Sequence, residues 1–229
     1  MNTEGLEARV KSLDDRLRAI EDVEEIENIT VMYGSYLEYN RWEEVVELFS
    51  DSADTSIEIV DSGIFLGKAG VERVCKLMAV GRVPKNPQKE VPGMVISAIM
   101  FHGLMIGQPV VDVDPGGKVA YGRWRGVEHA SREGAERFGG EGTWIQYWGR
   151  GQYENEYIKE DGRWKFKKLH WYLTFLTLWD KGWFKEPMIF TLANKPELKA
   201  DTPSMFDHRY PDPEWWTVPF HYKHPITGK

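Results

Sequence analysis

Apolar residues recur along this chain with two periods, and the change between them divides it. Near the start, Leu6, Val10, Leu13, Leu17 and Ile20 are spaced four, three, four, three, the a/d repeat of a helix that packs on a partner surface. Two heptads fall short of a coiled-coil signature, so this lead helix is expected to serve packing or assembly. At Asp22 it either breaks or runs on with a bend. From Ile26 to Phe49, Ile26, Ile29, Tyr33, Tyr36 and Leu37 keep close to the 3.6 period of an amphipathic helix. Asn40 and Arg41 interrupt the pattern, and Trp42, Val45, Val46, Leu48 and Phe49 open a second short helix. The polar groups of Tyr33, Tyr36, Glu38 and Tyr39 crowd the last two turns of the first, and the rest of the chain is organised around that helix.

The period then shortens. Asp51 to Asp54 is turn chemistry, Thr55 to Val60 alternates as a strand, Asp61-Ser62-Gly63 turns, and Ile64 to Leu66 returns. Gly67 and Gly70 flank the start of a third helix, Val71 to Val80. Gly81 to Pro92 carries three prolines and no periodicity, as a loop that rims or lids a site would. Thereafter the reading is β: an apolar run from Met94 to Gly107 continued by Val110 to Val113, a turn at Asp114-Pro115-Gly116-Gly117, and strands over Lys118 to Ala130, Trp144 to Lys159 and Arg163 to Leu178. Ser131 to Gly142 and Asp161-Gly162 are hairpin connections. Helices followed by long antiparallel strands define an α+β protein with a curved sheet and helices on one face. Three segments result: a lead helix over 1–22, the body over 23–178, and an irregular arm over 179–229. The arm is rich in proline and aromatic residues and is expected to wrap the sheet or to cap the pocket, its own or a neighbour's.

Composition narrows the function classes. The 229 residues suit one domain with additions or two small domains, and a net charge of −7 argues against nucleic-acid or anionic-membrane partners. No run approaches the ~20 apolar residues of a membrane span, and the charged N-terminus has no signal-peptide core. Cys75 is the single cysteine, which excludes an internal disulfide and a cysteine-cluster metal site. A cytoplasmic homo-oligomer, dimer or trimer, is expected. Aromatic residues reach 13%, with ten tryptophans, a composition that serves both cores and pockets for ring-shaped ligands. His208, His221 and His224 in the arm have no zinc-site spacing, so neither metal nor cofactor is expected.

One pattern carries a family resemblance: Glu25-Ile26, Tyr33, Glu38, Trp42, Leu48-Phe49, Ala53-Asp54 and Gly67, then Gly151-Gln152-Tyr153-Glu154-Asn155-Glu156-Tyr157 and Asp161-Gly162-Arg163-Trp164-Lys165-Phe166. It resembles the SnoaL-like branch of the nuclear transport factor 2-like superfamily over roughly Val23 to Leu178. The resemblance implies a cone: a bent sheet wrapped around helices, with a deep apolar pocket at its open end. Members include scytalone dehydratase, ketosteroid isomerase, polyketide cyclases, lindane dehydrochlorinase, lignin-dimer lyases and structural subunits of ring-hydroxylating dioxygenases, so fold alone leaves activity open. The family commonly has Asp where Glu38 stands, and in dehydratase-like members that position partners a catalytic histidine. Tyrosines such as Tyr33, Tyr36 and Tyr39 would hold a substrate oxygen, with Tyr36 favoured over Tyr39.

Strand alternation adds further candidates. Trp164, Phe166, Lys168, His170 and Tyr172 share one parity, so His170 and Tyr172 are expected to point inward with Trp164 and Phe166. Met100 and His102 share a face on the first long strand, which aims His102 inward as well. Burial would keep such imidazoles neutral and fit to act as bases. Arg123 and Arg125 share a face opposite Trp124; inward they would clamp an anionic or phenolate oxygen, outward they are solvated sheet residues. The expected catalytic set is therefore His102, His170, Glu38 and Tyr36, with Tyr33, Tyr39, Arg123, Arg125, Tyr172 and Trp148 contacting substrate.

The leading expectation is a cofactor-independent lyase, of the dehydratase or aldehyde-releasing type, that abstracts a proton from a small but bulky aromatic or phenolic substrate such as a lignin-derived diaryl compound. The alternatives are an isomerase or cyclase of a polycyclic substrate, a non-catalytic small-ligand binding protein, or a structural subunit of the dioxygenase β type.

Overall fold

A computed structural model describes residues 3–59, 62–79, 102–133, 144–186, 199–204 and 218–229. The proline-rich loop, the start of the long apolar run, most of the Ser131–Gly142 connection and the tryptophans at 215 and 216 lie outside these residues. The first helix, α1 (Thr3–Glu38), runs on through Asp22 without a break. Asp22 is buried, taking an ion pair from Lys159 at 2.5 Å and a hydrogen bond from the Trp164 indole at 2.8 Å, so a charge inside the helix is compensated by the sheet. Asn40, at φ 58°, ends the helix in the left-handed conformation that asparagine tolerates. A short α2 (Trp42–Glu47) and α3 (Gly67–Ala79) follow, the latter starting four residues earlier than its apolar period announced.

The described strands form a single sheet. They are β1 (Ser56–Ile59), β2 (Phe65–Leu66), β3 (His102–Val113), β4 (Val119–Glu133), β5 (Trp144–Glu160) and β6 (Arg163–Leu178), in the spatial order β2-β1-β6-β5-β4-β3. Neighbours are antiparallel except β1 and β6, whose parallel pairing is reached by a long crossover. Asp161 and Gly162 both take positive φ, 50° and 77°, the geometry a two-residue turn between twisted strands requires. Pro109, which cannot donate to a ladder, is accommodated because β3 is an edge strand and its register shifts between Gly107 and Val110. At the next turn the Asp114 carboxylate accepts backbone N–H bonds from Gly116, Lys118 and Val119 at 2.9, 2.8 and 2.7 Å, which hold it below the usual carboxylate range.

The sheet is curved and unclosed, and α1 lies on one face. Tyr33 meets Tyr153 and Phe166 edge-on, with ring centroids 6.4 and 5.7 Å apart, and Phe49 packs on Phe166 at 5.3 Å. Trp124, Tyr157, Trp164, Leu169 and Leu173 fill the same side and are essentially excluded from water. Burial of large side chains of this kind, at about 1.5–3 kcal/mol each, is what holds helix to sheet. At its centre the Tyr157 hydroxyl joins three elements: Trp124 Nε1 and Asn155 Nδ2 donate to it at 2.9 and 3.0 Å, and it donates to Thr30 Oγ1 at 2.8 Å. Thr30 in turn donates to the Ile26 carbonyl, so both hydroxyls of this small network are used.

Candidate functional site

The β6 ladder contains the feature that sequence alternation misses. Tyr157 pairs with Phe166 but Glu156 pairs with Lys168, so Lys167 is an extra residue in the strand. Lys167 and Lys168 consequently reach the same carboxylate, Glu156, at 3.2 and 2.7 Å. Beyond the bulge the parity is reversed: Leu169, Trp171 and Leu173 face α1, while His170 and Tyr172 lie on the opposite face from Trp164 and Phe166. The expectation that His170 and Tyr172 point inward is corrected by that one residue. His170 is nevertheless buried, with Ser56 Oγ 3.4 Å from Nε2 and the Tyr172 hydroxyl 3.3 Å from Nδ1. Desolvation, aided by Lys168, lowers its pKa from 6.5 to about 4, and desolvation pushes the Tyr172 phenol well above its ordinary value.

On the helix-facing side, His102 does lie inward. It begins β3 and is buried, and its Nε2 stands 2.9 Å from Oε1 of Glu128 on β4. The sheet brings them together because Leu104 pairs with Glu128 and His102 with Ala130, which sets the two side chains diagonally on one face. Two residues along, Gly126 opposes Gly151, and the missing β-carbons admit the rings of Tyr153 and Trp171, stacked at 5.5 Å. A β-carbon at Gly151 would come within 2.3 Å of the Trp171 indole nitrogen and 2.4 Å of the Tyr172 carbonyl oxygen. Tyr153 Oη and Trp171 Nε1 are buried donors with no hydrogen-bond partner among the described residues. Burial and the nearby Tyr33 and Glu128 raise the Tyr153 pKa far above its ordinary value, so the phenol stays protonated.

The remaining expected residues are dispersed. Tyr33 is buried in the α1–sheet contact, and Tyr36 and Glu38 are half-buried. Tyr39 is 74% exposed at the end of α1, which corrects its expected place against substrate. Arg123 and Arg125 face away from α1, as alternation against the buried Trp124 allows. Arg123 is not solvated, however: it pairs with Glu154, donates to the carbonyls of Val218 and Pro219 at 2.7 Å each, and lies over the Phe220 ring at 4.0 Å. The arm thus covers the outer face of its own sheet. A cavity of about 360 Å³ remains there, lined by Gln108, Arg123, Arg125, Gln152, Phe220 and Tyr222. Trp148 also points outward, into an aromatic cluster with Phe175, Trp179 and Trp183 at 4.9, 6.0 and 5.4 Å. Among the described residues no three His, Cys, Asp or Glu side chains are grouped to hold a metal ion.

Sequence reasoning passed over Glu128, Tyr153 and Trp171. The signal for Glu128 was present: it shares its parity with Trp124, and an acidic residue on the apolar face of a strand demands a partner. Tyr153 and Trp171 read as ordinary core aromatics until their unused donors are seen.

A long helix lying on a curved, unclosed and largely antiparallel sheet defines an α+β protein of the nuclear transport factor 2-like class. The sequence profile of the SnoaL-like domain matches residues 18–170, and the chain belongs to that family. No curated protein sequence matches it. Solved structures of similar fold include a Novosphingobium aromaticivorans protein assigned as a scytalone dehydratase, 18% identical, covering 70% of this chain and 89% of its own with a TM-score of 0.51. Another is the hexachlorocyclohexane dehydrochlorinase LinA-type3 of Novosphingobium barchaimii, 13% identical, covering 71% and 93% with a TM-score of 0.52. A third, from Novosphingobium aromaticivorans, is assigned as an aromatic ring hydroxylase, 16% identical, covering 69% and 94% with a TM-score of 0.51. At these identities the likeness is one of fold, on which three different activities are named, so the chemistry must be argued from the site. No helix among the described residues is long and apolar enough to cross a membrane.

Proposed function

We propose that this protein is a cofactor-independent lyase, of the dehydratase or aldehyde-releasing type, acting on a bulky aromatic or phenolic compound such as a lignin-derived diaryl. The observation that carries the reading is the buried His102–Glu128 pair on the helix-facing side of the sheet. Held at Nε2 by the carboxylate, the imidazole serves as the base that takes a substrate C–H proton. Glu128 fixes the ring and stabilises the imidazolium that forms. Electrons released from the broken C–H bond form the new double bond as the leaving group departs. In a dehydration the imidazolium returns its proton to the leaving hydroxyl, so atoms balance as alkene plus water. Tyr153 and Trp171, buried donors without a partner among the described residues, suit the oxygen that gains charge during the step. Dehydratase and dehydrochlorinase names among the structural neighbours agree with elimination chemistry on this fold.

The test is to incubate the purified chain, with nothing added, with a panel of phenolic and diaryl alcohols and to follow loss of water or formaldehyde by mass spectrometry. His102→Ala should lower turnover about 10²–10⁴-fold and Glu128→Gln less, both with unchanged circular dichroism. Turnover that survives His102→Ala overturns the assignment. Tight binding of a panel member without turnover would leave a ligand-binding protein instead.

A further inference from the structure

The first half of α1 stands away from the body. Every residue from Thr3 to Glu21 is exposed, and burial begins at Asp22. At 1.5 Å per residue this is a rod of about 28 Å without the tertiary packing from which most helical stability in proteins comes. Along it Leu6, Val10, Leu13, Leu17 and Ile20 are each between 50% and 64% exposed, an apolar stripe that this chain does not cover.

The charges beside the stripe say what covers it. With Val10 and Leu17 at a positions and Leu6, Leu13 and Ile20 at d, the e positions are Glu7, Asp14 and Glu21, and the g positions are Arg9 and Arg16. All of one flank is acidic and all of the other basic. In a parallel pair each g residue faces the e residue five places on in its partner. That sets Arg9 against Asp14 of the partner subunit and Arg16 against Glu21 of the partner subunit, and the reciprocal pairs follow by symmetry. An antiparallel pair would set arginine against arginine and acid against acid. Asp14 also takes Arg18 of its own helix at 2.5 Å, which leaves its second oxygen for the cross-helix contact. Val10 at a with Leu13 at d favours two strands, while Leu17 at a with Ile20 at d pulls the other way, toward three or four. The next a position is Glu24, which would face its own copy, so the seam ends after Ile20 and the bodies can part.

We propose that Leu6 to Ile20 forms a parallel two-stranded coiled coil with a second copy of this chain. The pairing rests on the projecting stripe and its flanking charges and is independent of the chemistry of the cone.

Sedimentation of the full chain over a concentration series should show a monomer–dimer equilibrium. Leu13→Glu should leave a monomer whose thermal unfolding is unchanged, because Leu13 is half exposed and the whole segment around it lies open to solvent. Arg9→Glu with Arg16→Glu should weaken the dimer roughly tenfold, and adding Asp14→Arg with Glu21→Arg to the same chain should restore it. In an antiparallel pair that last combination would remain repulsive. In a Cys75→Ala background, Thr3→Cys should oxidise to a disulfide-linked dimer by itself. A wild-type monomer, a trimer, a dimer that survives Leu13→Glu, or cross-linking of Thr3→Cys only to an Ile20→Cys chain would each overturn the proposal.

Discussion

Glu128 Oε1 lies 2.9 Å from His102 Nε2, with both side chains about one-tenth exposed, so each is the polar partner that burial of the other requires. Removing one partner strands the other. Glu128→Ala should therefore destabilise the fold by about 2–4 kcal/mol in the wild-type chain, and by clearly less in a His102→Phe background. A double-mutant cycle by urea denaturation measures the difference; additive losses would mean that the contact contributes nothing.

His170 gives a pH dependence of defined sign. The unfolded chain takes up the imidazole proton near 6.5, whereas burial delays protonation in the folded chain to about 4. Between those values the unfolded state binds more protons, so stability falls as the pH drops through that window and is untouched by this group above it. Wild type should lose about 3 kcal/mol relative to His170→Gln between about pH 7 and pH 4. Urea midpoints that fall in parallel for the two proteins would contradict this.

Tyr157→Phe removes the oxygen that accepts from Trp124 and Asn155 and donates to Thr30. Two buried donors would be orphaned. A loss of about 2–4 kcal/mol is expected, well beyond the usual cost of one hydroxyl, and calorimetry would read it as a lower Tm.

Arg123 ties the arm to the outer face through the carbonyls of Val218 and Pro219 and the Phe220 ring. Arg123→Ala should free the segment beyond Val218, so that trypsin cleaves at Lys223 severalfold faster than in wild type. Arg123→Lys should not rescue it, because an ammonium cannot hold two carbonyls and Glu154 in the planar fork that guanidinium provides.

Several elements were legible without coordinates. The 3.6 period of Ile26 to Leu37 and the boundaries of β6 are local properties, fixed by backbone geometry and by which side chains avoid water. The inward aim of His102 followed from simple alternation, which holds wherever a strand is regular. Alternation failed at Lys167, because whether a strand accommodates an extra residue depends on the ladder beside it, and the bulge carried His170 and Tyr172 to the other face.

The sequence by itself thus determined an α+β chain of helices followed by long strands, and its family. Tertiary structure decided which polar groups meet. Glu128 finds His102 only because β3 and β4 pair in one register, Tyr153 and Trp171 come close only because two glycines oppose each other, and Arg123 is consumed by an arm 95 residues away. Periodicity records each residue's exposure to water one strand at a time; partners across strands are set by pairings that no single strand contains.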